Sequence, residues 1–479
     1  MRRSLPILAA SLATLMLRLI RIREMPLFND EAIAFRWAQV TREAWSHAFA
    51  TPLRDPKPPL HTTLLALFVR LGTDPVLIGR CLSAIIGMAT TYVLAMVADD
   101  IFSRAKRPIR NAAAIVACLA AASPFLAFHQ RLATVDALFL LESVLVLWLA
   151  LHARLLFGAA VGVALETRGV FSILLAPVAA LAAYKRERSA RTAVLGLLLA
   201  GVLWLPYLFA QPGAYAHGIL PELRRRIFYQ SQFQAIGGSL DPLVWFWTYL
   251  TPPILVAAIA GFALLAIRRE WSALSLLGTW TLALLIPAAL GGVRYSRYAL
   301  PAAAPLLIAA AWCVAQVRWR ALALALLLAW PLYDVVNGIA DWRKQTLTTA
   351  DRYQYVDGWP AGTATEQAAA WLAARAREAP INVVTGNEWG LPADGIWVML
   401  DRNPRVRLFF VTRNQARIDK WGAETPVELP RDRPTFEVLK ATGGDPIPLG
   451  ADVFRNDDRS HDLVIVRRAP CCGSYGLEP

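Results

Sequence analysis

Long apolar runs recur along this chain and restrict its fold more than any other feature of the sequence. A helix needs about 20 apolar residues to cross a hydrocarbon core of ~30 Å. The composition suits such helices, because 56% of the 479 residues are hydrophobic, only 18% are charged, and the mean hydropathy is +0.42. The runs lie near residues 4–22, 78–98, 111–128, 132–151, 155–183, 192–210, 243–267, 272–290, 298–316 and 321–340. The sequence therefore predicts a polytopic α-helical membrane protein.

The first apolar run begins after Met1 and two arginines, as a secretory signal peptide does. It lacks a small-residue cleavage site, and it is followed by Arg21 and Arg23. We expect this run to be retained as the first membrane helix, with the N-terminus in the cytoplasm.

The run 155–183 is longer than one span requires, and Glu166-Thr167-Arg168-Gly169 interrupts it. A single helix would bury these charges near the bilayer centre, at a cost of several kcal/mol. Two short helices that turn at Gly169 would place the same charges at a membrane interface.

Short basic loops decide the topology, because arginine and lysine favour the cytoplasmic side. Such loops lie at 103–110, 184–191, 268–269 and 318–320. With a cytoplasmic N-terminus, all four are cytoplasmic only if 155–183 crosses twice. The prediction is then about eleven crossings, with Glu166–Gly169 at the outer face. The net charge of +14 is explained by these loops, and we predict no nucleic-acid partner.

The same topology divides the chain into two predicted domains. A transmembrane catalytic domain, 1–340, includes a long first outer loop, 23–77, and another outer loop, 211–242, that contains Arg224-Arg225-Arg226. The tail, 341–479, is more polar and is predicted to be a small extracytoplasmic α/β domain. Its predicted elements are a helix at 363–378 and β-rich runs at 381–385, 396–400, 406–411 and 462–467.

Five cysteines give no disulfide framework. Cys81, Cys118 and Cys313 lie in apolar segments and behave as small hydrophobic residues. Cys471 and Cys472 are adjacent, and a tail thiol or a lipid site is open for them. Scarce lysine and the absence of an Asn-x-Ser/Thr sequon favour a bacterial protein, and we expect it in the inner (plasma) membrane.

Two polar motifs lie in the first outer loop. Asp30-Glu31 follows the first membrane helix. Two adjacent acids at this position are either exposed to water without a specific role or part of a functional site. Lys57 lies between Pro56 and Pro58, which stiffen the backbone around it. This lysine either extends to the membrane interface or binds a phosphate.

Further polar motifs precede or interrupt later membrane helices. His129-Gln130-Arg131 and Asp136 fall in a tight hairpin, where a buried carboxylate is costly unless it is paired or used. Arg131 is the candidate partner of Asp136. Thr167-Arg168 lies at the predicted hairpin tip, and Arg294-Tyr295-Ser296-Arg297-Tyr298 precedes the run 298–316. Carboxylates and cations thus converge on one face, as a reaction on a lipid-linked, anionic substrate requires.

These motifs, in this order, resemble the GT-C superfamily of membrane glycosyltransferases over about residues 1–320. The most similar branch contains bacterial protein O-mannosyltransferase-like enzymes and lipid A aminoarabinose transferases. The motifs are Asp30-Glu31, Lys57-Pro58-Pro59-Leu60, Arg131 with Asp136, Thr167-Arg168-Gly169 and Arg297-Tyr298-Ala299-Leu300-Pro301. Where the branch has Thr-Lys-Gly, this chain has arginine at position 168. The positive charge is kept, but the compact ammonium group of lysine is replaced by the planar guanidinium of arginine.

The resemblance implies an inverting transfer of a sugar from a polyprenyl-phosphate donor to a lipid, glycan or protein acceptor outside the cytoplasm. It implies Asp30 as the base, with Glu31 and Asp136 as further catalytic residues. The residues implied to bind the donor phosphate are Lys57, Arg131, Arg168, Arg294, Arg297 and Tyr298. A divalent metal held by Asp30 and Asp136 is left open, although the histidines show no ligand spacing.

Two other functions are weighed against this one. A lipid-linked substrate transporter or flippase predicts inverted repeats with paired broken helices, and the sequence shows one broken segment without a matching half. A non-catalytic protein that binds the lipid carrier would not need Asp30, Asp136 and Lys57. The sequence does not specify the sugar, the acceptor or the length of the lipid.

Overall fold

The structure is a computed structural model, and it describes most of the chain. The described residues are 4–43, 58–69, 74–106, 111–152, 155–187, 190–209, 239–291, 294–386, 390–410, 416–418, 424–426, 430, 432–442, 447, 449–456 and 461–468. Lys57, Arg224-Arg225-Arg226, Cys471 and Cys472 lie outside them.

Contacts divide the chain into two compact units. The helical unit comprises Met1–Ile22, Pro56–His61 and Gly79–Thr348, and the mixed unit comprises Arg23–Asp55, Thr62–Ile78 and Thr349–Pro479. This division differs from the predicted domains, 1–340 and 341–479, because most of the first outer loop clusters with the tail.

The helices follow the predicted apolar runs closely. They are α1 Ser4–Leu19, α2 Asn29–Glu43, α3 Leu60–Phe68, α4 Pro75–Ser103, α5 Ala112–Ala122, α6 Pro124–His129, α7 Val135–His152, α8 Leu156–Glu187, α9 Ala190–Phe209, α10 Asp241–Tyr249, α11 Pro252–Ile267, α12 Trp271–Leu290, α13 Ala303–Ala315, α14 Arg320–Ala340, α15 Thr349–Arg352, α16 Thr363–Glu378 and α17 Ala393–Leu400. Short 3₁₀ turns at Ser296–Tyr298 and Leu300–Ala302 lead into α13.

Several helices have the length and composition of membrane spans. Among the described residues, α4, α7, α12 and α14 each meet that standard, and the bent pair α10 and α11 meets it together. Leu326 and Tyr333 of α14 are each 67% exposed, as expected of side chains that face lipid. The protein is an integral membrane protein, and the number of about eleven crossings stays a prediction.

The run 243–267 was counted as one apolar segment, and the structure divides it into the helices α10 and α11. The axes of α10 and α11 meet at 114°. Pro252 and Pro253 begin α11, and neither has the backbone N–H that a continuous helix would need. Thr251, just before them, has a left-handed φ of 69°, which redirects the chain.

The break predicted in 155–183 is present. Arg168 has non-helical torsions, φ −148° and ψ 80°, inside α8. Ser172 Oγ lies 2.6 Å from the carbonyl oxygen of Ala164. Eight residues of straight helix would separate these groups by about 12 Å, so the chain folds back on itself at Arg168.

The two halves of α8 also run in opposite directions relative to α9. Gly158 lies against the backbone of Gly196, and Gly162 lies against Ala200. From the first contact to the second, the position advances by four residues along both helices, so the first half of α8 is parallel to α9. The second half must therefore return toward the start of α9, and small residues allow the close approach of the helices.

The four basic loops lie at one end of the helical unit. The contacts that show this join Lys106 N to Glu270 at 3.1 Å, Lys185 to the Ser272 carbonyl at 3.2 Å, and Arg268 to Gln316. That grouping is what the predicted topology requires. The side of the membrane that this end faces stays a prediction.

The tail forms a sheet whose strand order is β2-β1-β5-β7-β6. The strands are β1 Ile381–Thr385, β2 Val406–Phe410, β3 Ala416–Ile418, β4 Glu424–Pro426, β5 Thr435–Thr442, β6 Asp452–Phe454 and β7 His461–Arg468, with β3 and β4 as a separate pair. β1 is parallel to β2 and β5, and β7 is antiparallel to β5 and β6. Leu372 of α16 packs on the buried face with Val383 and Ile465.

The predicted helix 363–378 and the strands near 381–385, 406–411 and 462–467 are confirmed. The strand predicted at 396–400 is wrong, because these residues form the second half of α17. A short apolar run does not distinguish a strand from a buried helix. Here the Asp394 carboxylate accepts from Gly390 N at 2.6 Å and ties the first turn of α17 to the preceding loop.

Candidate active site

A proline break shapes one end of the helical unit. Pro124 ends the continuity of α5 and α6, so the carbonyl of Ala120 lacks its usual helical donor. Arg18 of α1 supplies donors in its place, with Nη1 at 2.7 Å from Ala121 O and Nη2 at 3.2 Å from Ala120 O. The buried Arg18 therefore fixes α1 against the segment that carries His129, Gln130 and Arg131.

Arg131 lies in this segment and bonds to backbone carbonyls. Its Nη2 donates to Ile20 at 3.0 Å and to Arg21 at 3.2 Å, and its Nη1 lies 3.4 Å from Gly338 O. The side chain is 3% exposed overall. These contacts join the end of α1 to the end of α14.

Asp136 lies in the first turn of α7 and forms an ion pair with Arg168 at the tip of the α8 hairpin. Arg168 Nη2 donates to Asp136 Oδ1, and the two side chains are 4% and 3% exposed. The sequence favoured Arg131 as the partner of Asp136, and the structure shows Arg168 in that role. The fold-back at residue 168 brings this guanidinium to α7, which sequence spacing does not reveal.

Tyr298 lies between two arginines. The Arg168 guanidinium carbon is 5.0 Å from the centroid of the Tyr298 ring, and that of Arg297 is 5.5 Å from it. Arg297 also lies 4.7 Å from the ring of Tyr295. Cations are attracted to aromatic faces at such distances, more strongly when desolvated. Arg168 and Arg297 thus place two guanidinium groups near one aromatic ring, and Asp136 is bonded to the first of them.

Arg294 lies nearer the solvent. Its Nη1 is 3.5 Å from Asp241 Oδ2 at the start of α10, and the two side chains are 45% and 41% exposed. A pair of this kind is weak and exchanges partners readily.

Glu142 is a buried carboxylate that the sequence reasoning did not identify. It lies in α7, is 5% exposed, and accepts a hydrogen bond of 2.7 Å from Thr167 Oγ1. Its Oε2 has no hydrogen-bond partner among the described residues. An acid inside the apolar run 132–151 was a signal that could have been followed, because intramembrane carboxylates are usually functional.

Asp30 and Glu31 lie in the mixed unit, in the first turn of α2. Glu31 is fully buried, and its Oε2 accepts a hydrogen bond of 3.1 Å from Phe28 N. That bond is half of a capping box, in which an acid in the first turn binds a backbone N–H just before the helix. Asp30 is partly exposed. The structure therefore gives the two adjacent acids different environments.

The predicted site residues thus fall into three groups. Arg131, Asp136, Arg168, Arg294, Arg297 and Tyr298 belong to the helical unit, Asp30 and Glu31 belong to the mixed unit, and Lys57 lies outside the described residues. Among the described residues, no three His, Cys, Asp or Glu side chains are grouped so that they could hold a metal ion.

Comparisons with known proteins give a match of fold. No protein-family model and no curated protein sequence matches the chain. The structure of ArnT from Cupriavidus metallidurans in the apo state is similar over 96% of this chain and 97% of that chain, with a TM-score of 0.60 and 17% identity. The same protein bound to undecaprenyl phosphate matches equally well, with 16% identity.

A second group of similar structures comes from an archaeal protein. The oligosaccharyltransferase AglB from Archaeoglobus fulgidus, in complex with an inhibitory peptide and a dolichol-phosphate, has a TM-score of 0.53 and 14% identity. The alignment covers 84% of this chain and 64% of that chain. The chain therefore shares its fold with ArnT and with AglB, in agreement with the resemblance expected from the motifs.

Proposed function

We propose that this protein is an inverting membrane glycosyltransferase that uses a polyprenyl-phosphate-linked sugar. The acceptor is a hydroxyl or similar nucleophile of a lipid, glycan or protein, on the extracytoplasmic face. Structures with this fold have been solved with undecaprenyl phosphate and with a dolichol-phosphate and a peptide. Those ligands support a lipid-phosphate donor for the present chain.

The reaction needs one proton acceptor and a site for the negative charge of the leaving group. The Asp30 carboxylate takes the proton of the acceptor, whose oxygen attacks the anomeric carbon of the sugar. The bond from that carbon to the phosphate oxygen breaks, and its electron pair leaves with the polyprenyl phosphate. The phosphate gains one negative charge, so cations favour the transition state over the ground state.

The observation that carries the proposal is the cluster of the buried Asp136, Arg168 and Arg297 with the partly exposed Tyr298. Arg168 and Arg297 approach the same ring, and Asp136 is bonded to Arg168. Asp136 and His152 lie near opposite ends of α7, so this cluster is about 24 Å from the end where His152 pairs with Asp100 at 3.1 Å. That distance suits a site at the face of the membrane opposite the basic loops.

The other predicted residues receive separate roles. Lys57 is proposed to contact the donor phosphate because the resemblance of the Lys57-Pro58-Pro59-Leu60 motif implies that role. Arg294 is proposed to contact it because its ion pair with Asp241 is exposed and weak. Arg131 is proposed to hold the ends of α1 and α14, since carbonyls accept from both of its terminal nitrogens. Glu31 is proposed to cap α2. No divalent metal is needed in this scheme.

Transport was disfavoured because the sequence shows one broken segment, and the bend between α10 and α11 removes that reason. Transfer is favoured instead by the fold, which aligns over nearly the whole chain with ArnT, and by the buried ion pair of Asp136 with Arg168.

The test is a transfer assay with purified protein in liposomes and a synthetic polyprenyl-phosphate sugar. Asp30→Asn should reduce the transfer rate by at least about a hundredfold without a change in the melting temperature. Arg407→Ala, which breaks an ion pair with Asp432 in the tail, is the matched control and should transfer at the wild-type rate. Full transfer by Asp30→Asn would refute the base assignment, and wild-type protein without activity on any such donor would refute the enzyme.

A further inference from the structure

α2 carries Asp30 in its first turn, and the C-terminal part of the mixed unit holds this helix at two points of close contact, besides a longer ion pair at Arg42. The first point is Asn29, directly before Asp30. Asn29 Oδ1 accepts a hydrogen bond of 2.8 Å from Leu391 N. The backbone of the 390–391 loop therefore bonds to the residue adjacent to the proposed base.

Gly390 makes this contact possible. Its φ of +82° is a left-handed conformation that glycine adopts at little cost. A Cβ at this position would overlap the Asn29 carboxamide, whose Cγ is 2.7 Å from the place where it would lie. The bond from Gly390 N to the Asp394 carboxylate joins the loop to α17 in turn.

The second point is Arg36. Its guanidinium carbon lies 4.1 Å from the ring centroid of Trp397 in α17, and Trp397 stacks on Phe410 at 4.4 Å with an interplanar angle of 11°. Arg36 is 4% exposed, and its Nη1 has no hydrogen-bond partner among the described residues. Burial lowers the pKa of Arg36 to about 10, which Asp394 and Asp401 partly oppose. The buried guanidinium of Arg36 therefore lies against the aromatic face of Trp397, a favourable contact for a desolvated cation.

The two points lie on one face of α2. Asn29 and Arg36 are seven residues apart, which is close to two helical turns. Contacts at both places fix the translation and the rotation of the helix. Asp30 directly follows Asn29, about 100° further around the helix, and its side chain is partly exposed.

We propose that Asn29 and Arg36 are positioning residues that hold Asp30 on the loop 390–391 and α17, so that the C-terminal domain sets the orientation of the base. This inference rests on the proposed role of Asp30. It gives the domain a part in catalysis, because a base displaced by about 1 Å can lose a hundredfold in rate.

The test is a double-mutant cycle in the full chain, with kcat and KM for the lipid donor measured separately. Asn29→Ala and Gly390→Ala should each lower kcat about tenfold or more and leave the donor KM within about twofold. The double variant should be no slower than the slower single variant, because both changes break the same contact. Asn29→Asp keeps the acceptor oxygen and should recover part of the rate.

Arg36→Lys and Arg42→Ala complete the set. Lysine keeps the charge of Arg36 and loses the planar stack on Trp397, so kcat should fall. Arg42 is on the same helix, with a longer ion pair of 3.7 Å to Asp401, and its alanine variant is the control that should keep kcat. Melting temperature and hydrogen exchange of the α2 amides distinguish loss of position from loss of folding.

The outcomes separate this inference from the function on which it rests. Inactive wild-type protein, or full activity of Asp30→Asn, would refute the proposed function. An inactive Asp30→Asn beside fully active Asn29→Ala and Gly390→Ala would refute the positioning role alone. Additive losses in the cycle would also refute it, because they would show that the two residues act through separate contacts.

Discussion

Asp136 and Asp30 both lie in the first turn of a helix, where a negative charge is favourable. Asp136 is buried in the helical unit, and its carboxylate is bonded to Arg168 across a hairpin. Asp30 is partly exposed in the mixed unit, and its helix is held through neighbouring residues. The Asp136 carboxylate is held by an ion pair across a hairpin, whereas the helix that carries Asp30 is held by the contacts of Asn29 and Arg36.

These different environments indicate different roles for the two acids. The Asp136 carboxylate is held in a buried ion pair, and its loss would leave a buried, unpaired arginine. It is well suited to fix the direction of Arg168. We assign proton transfer to Asp30, whose side chain is partly exposed. The predictions below test this division by changing one side at a time.

The largest effect on stability is expected from Asp136→Ala. This variant leaves the Arg168 charge buried without its partner, and such losses cost about 3–5 kcal/mol. Thermal unfolding in detergent should show a clear fall in melting temperature together with loss of transfer. The double variant Asp136→Leu with Arg168→Leu should recover stability and stay inactive. An unchanged melting temperature in Asp136→Ala would contradict the ion pair as a structural contact.

Glu142→Ala is expected to have the next largest effect. It removes the acceptor of the Thr167 hydroxyl, one residue before Arg168, and leaving a buried donor without its partner costs about 1–3 kcal/mol. Glu142→Gln keeps an acceptor oxygen and should retain most of the stability and rate. Thr167→Val should add little to Glu142→Ala in a double-mutant cycle. Equal losses in the alanine and glutamine variants would instead indicate that Glu142 acts through its charge.

Much of the helical unit could be predicted from the sequence, for physical reasons. Apolar runs and basic loops reflect the free-energy cost of placing charge in lipid. This cost depends on short stretches of sequence and can be read without knowledge of the fold. They therefore predicted the break near Arg168 and the common end of the basic loops. The partner of Asp136 was not predictable in this way, because the fold-back at residue 168 places Arg168, and not the nearby Arg131, on α7.

The tail was less predictable. The run at 396–400 is apolar and short enough to fit either a strand or a helix, and only the loop before α17 decides between them. The contacts of Asn29 and Arg36 join residues more than 350 positions apart in sequence. No local sequence pattern predicts such a pairing. Nor does one predict that Glu31 is buried while the adjacent Asp30 is partly exposed.

Glu31→Ala tests the other member of the acidic pair. Loss of the bond to Phe28 N should cost about 1 kcal/mol, as removal of a helix cap typically does. The fall in kcat should be much smaller than in Asp30→Asn, and Glu31→Gln should behave as wild type because glutamine also accepts in a capping box. A loss of rate in Glu31→Gln equal to that in Asp30→Asn would assign chemistry to Glu31 and remove the proposed division between the two acids.

The smallest effect on stability is expected at the ion pair of Arg294 with Asp241. Both side chains are more than two-fifths exposed, so breaking the pair should cost less than about 1 kcal/mol. If Arg294 binds the donor phosphate, Arg294→Ala raises the donor KM several-fold at an unchanged melting temperature. Asp241→Ala removes the competing carboxylate and should lower the KM or leave it unchanged. A purely structural pair predicts equal effects of the two variants, so opposite shifts in KM would distinguish this exposed arginine from Arg168, whose charge Asp136 holds in place.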